Sequence, residues 1–180
     1  MRKRAWEIGA VVALLLVVSG VITGFVGYRS RNEALSLALD RQEMGQVKAL
    51  ILKGADPNTR SPRGNRALTW AAAWPDEALV TELLDRGARI DAPNDQGATP
   101  LLVASGWGNV GVVTLLLLRG ANASLKDEQG RTARQHAQEF LSGMQAQQRR
   151  DMSGSDRRVA SAKRRVDQIL RLLRKAETAR

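Results

Sequence analysis

Hydrophobic positions along this chain fall into two regimes. From Ile8 to Tyr28 they form a single uncharged run of 21 residues. At about 1.5 Å per residue, such a run in helical form extends roughly 30 Å, the thickness of a bilayer's hydrocarbon core. Beyond Asn32 the apolar residues gather instead in short clusters, paired so that the second of each pair is closed by Gly54, Gly87 or Gly120. The clusters predict helix pairs at Glu33–Arg41 with Met44–Leu52, Ala67–Ala73 with Glu77–Asp85, and Thr99–Ser105 with Val110–Leu118. Thr99 can cap, Pro100 suits a first helical turn, and Gly120 suits a helix end. None of these helices is long enough to be stable alone, so each needs neighbours.

Those neighbours recur at a fixed interval. Gly54, Gly87 and Gly120 are 33 residues apart, and so are Gly64, Gly97 and Gly130. Ala38, Ala71, Ala104 and Ala137 keep the same period, as do Val47, Val80 and Val113. An apolar pair follows each valine: Leu50-Ile51, Leu83-Leu84 and Leu116-Leu117. One buried helical face is therefore repeated along the chain.

Gly97-x-Thr99-Pro100-Leu101 with Ala104, then Gly108-Asn109, Val113-x-x-Leu116-Leu117 and Gly120-Ala121-Asn122, resembles an ankyrin repeat. The period of 33 supports the resemblance. Two units depart from it. Arg66-Ala67-Leu68-Thr69 stands where Thr-Pro-Leu-His is usual, and Trp74-Pro75 replaces the glycine between helices; Arg31 takes the leading glycine's place in the first unit. The implied fold is all-α: a solenoid of units at about 32–63, 64–96, 97–129 and 130–180, with hairpin-like fingers between units. The implied function is non-catalytic protein binding.

The fourth unit is interrupted. Gly130 to Ala137 repeats a first helix, but Val166-x-x-Ile169-Leu170 arrives 53 residues after Val113. An insertion at about 142–162, rich in Gln, Ser, Gly and Arg, is expected as a mobile or partly helical loop. The competing reading ends the cap near Phe140 and makes Arg157 to Ala176 an independent basic helix.

Charge changes the picture at the two ends. The net charge is +10, of which residues 1–31 carry +4, 32–130 carry −2 and 131–180 carry +8. Residues 1–7 form a basic tail before the apolar run, and Trp6 and Tyr28 flank it as interfacial aromatics would. A transmembrane signal-anchor at 8–28 is expected, with a cytoplasmic N-terminus and the repeats periplasmic or otherwise extracytoplasmic. Arg29, Arg31 and Arg41 oppose that orientation. A cleaved signal peptide centred on Ile8 to Val18 competes, although the run is long for one and no good cleavage site follows. Gly20 and Gly24 form a small-residue pattern for weak helix dimerisation. The basic segment 149–180 suggests contact with anionic lipid, its apolar Val166, Ile169, Leu170 and Leu173 being equally suited to packing on the last repeat. Nucleic acid fits less well, because the segment has no interleaved aromatics.

With one histidine and no cysteine, nucleophile–base pairs and histidine metal sites find little support, and no phosphate-binding glycine loop is present. No catalytic, metal or cofactor-binding residue is assigned. His136 aligns with Leu37, Trp70 and Val103, a position expected in the core. Trp74, Trp107, Phe140 and Arg41 share another repeat position, which the resemblance places on the concave groove. Aromatics there would serve as binding anchors, or would stiffen the stack by packing on neighbouring turns. In the fingers, Arg60, Arg63, Arg89 and Lys126 are the contact candidates, whereas Asn58, Asp91, Asn94 and Asp127 are expected to bond finger backbone.

Overall fold

A computed structural model gives the fold; it describes residues 24, 26–150 and 156–178. All regular structure among these residues is helical: α1 (26–40), α2 (Met44–Leu52), α3 (Ala67–Ala71), α4 (Glu77–Asp85), α5 (Pro100–Gly106), α6 (Val110–Leu118), α7 (Ala133–Arg150) and α8 (Asp156–Thr178). No strand forms; the fingers are held by isolated antiparallel bridges, Arg60 with Arg66 and Lys126 with Thr132. The helices stack in two layers. α3, α5 and α7 pack in sequence on one side and α4, α6 and α8 on the other, with α3–α4, α5–α6 and α7–α8 as the pairs.

Local chemistry sets the ends of these short helices. Asp76 caps α4 through the Leu79 amide at 2.9 Å, and Thr99 caps α5 ahead of Pro100. α2, α4 and α6 all close on a left-handed glycine (Gly54, Gly87 and Gly120, with φ of 86°, 85° and 90°). The following amides of Ala55, Ala88 and Ala121 then reach back to the carbonyls of Leu50, Leu83 and Leu116. Between α5 and α6, Gly108 takes φ 66°, and Gln42 takes φ 58° at the equivalent place in the first unit. Pro75, locked at negative φ, stands at that place in the second unit, so the Trp74-Pro75 turn follows another path.

A single core runs through the stack. Val47, Val80 and Val113 are fully buried, as are Ile51, Leu83 and Leu116, while Ala38, Ala71, Ala104 and Ala137 line the layer between units. The alanines let successive first helices approach, and the branched residues fill the space behind them.

The 142–162 segment is helical in its described parts: 142–150 continue α7 and 156–162 open α8. α8 packs on α6 and α7 through buried Ala162, Val166, Ile169 and Leu173. That spacing of four, three and four keeps one apolar stripe on the seam. Of the aligned positions expected in the core, Leu37 lies outside it. Leu37 is 53% exposed, whereas Trp70 and Val103 are half-buried and pack against the edge of the core.

Among the described residues no helix is long and apolar enough to cross a membrane. The candidate anchor at 8–28 lies outside the described residues except for 24 and 26–28, and Gly20 lies outside them altogether.

Candidate functional site

Each finger is built on the same turn. Ser61, Asn94 and Asp127, 33 residues apart, accept a hydrogen bond from the amide four residues on: Asn65 at 3.1 Å, Ala98 at 2.9 Å and Arg131 at 2.8 Å. Asn94 and Asp127 also accept from the amides of Gln96 and Gln129, both at 3.0 Å. A second set of side chains ties finger to finger. Asn58 accepts the Arg89 amide at 2.9 Å, Asp91 accepts the Asn122 amide at 3.0 Å, and Asn32 of α1 accepts the Asp56 amide at 2.8 Å. Asn58, Asp91, Asn94 and Asp127 thus all bond finger backbone. Gly97 lets the backbone of the next finger approach closely: a Cβ there would meet the Glu128 amide at 2.8 Å, at a φ of 71°.

The fingers sit against the first helices and leave a groove between. Thr69 donates to the Ala92 carbonyl at 3.3 Å, and Arg66 donates to Pro93 at 3.0 Å. Next to these contacts the groove opens to a cavity of about 200 Å³. Finger residues Asn94 and Gln96 line one side and Val103, Trp107 and His136 the other. Trp74 is 46% and Trp107 59% exposed. Trp70 lies beside Trp74 with ring centroids 6.3 Å apart and planes tilted by 55°. Three tryptophans therefore lie on the finger side of the repeats, two of them largely open to solvent. Trp70 was legible as a groove residue only through its neighbours in space, since its own helix is apolar on both faces.

Phe140 stands at the same repeat position as Trp74 and Trp107 but is placed differently. Its ring lies where a Gly108 Cβ would be, and the Arg165 guanidinium covers it at 5.2 Å from the centroid. It is half-buried, a packing group between the Gly108 turn and α8. Of the basic candidates, Arg60 is paired with Asp95 across adjacent fingers. Arg41, Arg63, Arg89 and Lys126 are exposed, and none makes a side-chain ion pair among the described residues.

At the groove's far end is a charge cluster that single residues did not reveal. The Asp127 carboxylate is buried and accepts from Arg131 Nε at 2.8 Å and from His136 Nε2 at 2.9 Å, besides its two finger amides. Burial pushes this carboxyl up, but the Arg131 amide, the guanidinium and the imidazole together outweigh it and hold the group at about 2. Asp127 in turn raises Arg131 above its ordinary value. The anionic carboxylate makes His136 the donor, which fixes its ring orientation. His136 is therefore a half-buried, hydrogen-bonded wall residue rather than core packing. Among the described residues, no three His, Cys, Asp or Glu side chains gather as a metal-binding group.

A comparison with protein families finds that the model for ankyrin repeats (3 copies) matches residues 35–127, just over half of the chain. A comparison with curated proteins finds no match. The matched stretch runs from α1 to the third finger and takes in the stacked pairs and the 33-residue period alike; the chain belongs to the ankyrin-repeat family.

Proposed function

We propose that this chain is a membrane-anchored protein-binding module whose partner lies in the groove between the fingers and the first helices. Ankyrin repeats are generally non-catalytic interaction modules, and a protein partner is the reading that follows from the family. The observation that carries the reading is the exposure of Trp107 and of Trp74, the latter beside Trp70. Large aromatic side chains left open on a rigid surface are characteristic anchors for a partner, because little conformational entropy is lost when they are covered. Arg41, Arg63, Arg89 and Lys126 are exposed, make no side-chain ion pair among the described residues, and would favour a partner with acidic groups at its rim. Phe140 is assigned no contact, since Arg165 already covers it. The anchor is the 8–28 segment, and the repeats are extracytoplasmic in this reading.

The test is a comparison of the wild-type chain with Trp74→Ala plus Trp107→Ala in capture of partners from the membrane fraction. A specific partner should be lost from the double variant, at least about 100-fold in affinity, with the melting transition unchanged. A partner held equally by both proteins overturns the groove. Digestion of a C-terminal tag in cells opened only at the outer boundary supports the topology; protection until the membrane is lysed reverses it.

A further inference from the structure

We propose that the outer ridge of α8 docks on an anionic bilayer surface while the groove stays free. The helix is 23 residues long where α2, α4 and α6 have nine, and the extra length carries charge. Its apolar stripe, Ala162, Val166, Ile169 and Leu173, is consumed by packing on α6 and α7. At 100° per residue, Arg157, Arg164, Arg171 and Lys175 fall within about 40° of one another, directly opposite that stripe. Lys163 and Arg174 lie to one side of them, with the acid Asp167 in between. All six cations are exposed. Among the described residues the one ion pair that reaches α8 is Arg134 with Glu177, so no described carboxylate neutralises the ridge.

The row of cations from Arg157 to Lys175 is straight and about 27 Å long. A flat anionic surface can meet every member of such a row at once. The buried stripe leaves no apolar face to insert, so the contact is electrostatic and sensitive to salt. Nucleic acid is the weaker candidate, since no aromatic side chain stands between these cations to stack on bases. α8 belongs to the layer of second helices, away from the fingers, so docking leaves Trp74 and Trp107 accessible. The proposal does not depend on the groove. It draws on the anchor only to bring the ridge near a membrane.

The chain has no cysteine, so Gln168→Cys places a single dye on the ridge of the full chain. Energy transfer to headgroup-labelled lipid is measured in discs of neutral phosphatidylcholine and in discs with one-third phosphatidylglycerol. Transfer should be at least about twofold higher in the anionic discs and should fall to the neutral level near 0.5 M salt, where screening shortens to a few ångströms. Arg157→Glu with Arg164→Glu and Arg171→Glu should abolish the difference with helical content intact. Equal transfer in both lipids, or an unchanged difference in the variant, overturns the proposal. So does displacement of the ridge from anionic discs by a duplex oligonucleotide, which would make it a nucleic-acid surface. If that variant loses helix, the lipid and salt comparisons still decide. A chain that fails to enter neutral discs refutes the anchor alone, and the ridge is then read by sedimentation with vesicles of the same two compositions.

Discussion

At the scale of single residues, position 127 shows how one repeat position acquires a new role. Asn94 and Asp127 receive the same two backbone amides, so the turn itself needs only an oxygen acceptor. The negative charge is the addition, and it brings Arg131 and His136 onto one carboxylate. Asp127→Asn should therefore keep the finger and lose the charge-dependent part. Because the folded carboxyl is held at about 2, below its ordinary value of 3.8, its contribution is full above the unfolded value and disappears as pH falls through the folded one. Its partner Arg131 is 36% exposed, so after solvent screening the contribution is about 1 kcal/mol. Unfolding free energies of the two proteins, from denaturant titration, should differ by that amount at pH 6 and converge near pH 2. A gap of unchanged size at low pH would show that the carboxylate charge is not what stabilises the finger.

At the scale of elements, the helices whose residues recur in register were legible from the sequence. α2, α4 and α6 begin and end as expected, since valine, leucine and a left-handed glycine mark their limits three times over. The side of the first helices turned to the groove was not. Leu37, Trp70 and Val103 are as apolar as core residues, and only the neighbouring helix decides which face is covered. The continuation of α7 past Ser142 was hidden for a different reason. Its Gln-rich sequence has almost no apolar period, and α8, distant in sequence, packs along it. That dependence gives a prediction for α8. Ile169→Ala removes a fully buried side chain from the seam and should cost about 2–5 kcal/mol. Arg171→Ala, on the ridge, should stay within about 0.5 kcal/mol. The check is chemical denaturation followed by far-ultraviolet circular dichroism, and equal effects of the two changes would contradict the packing described for α8.

At the scale of the molecule, each unit has a core too small to fold alone, and its stability comes from the units beside it. Inter-unit bonds support this view: Asn109 of the third unit donates to the Ala72 carbonyl of the second at 3.0 Å, and Arg119 pairs with Asp85 at 2.8 Å. Leu101, fully buried near the middle of the stack, is the position to test. Leu101→Ala should cost about 2–5 kcal/mol, and the loss should be felt far from the cavity. Hydrogen exchange should accelerate both at Ile51 in α2 and at Ile169 in α8, because neither end of a linear stack retains its neighbours once the middle opens. Tryptophan fluorescence, to which Trp70, Trp74 and Trp107 of the repeats contribute beside Trp6, and far-ultraviolet dichroism should then report one coincident transition. Faster exchange confined to α5 and its finger would mean that the units are stabilised separately. The groove would then be a set of local surfaces rather than one rigid face, and a partner spanning Trp74 and Trp107 would have to order it on binding.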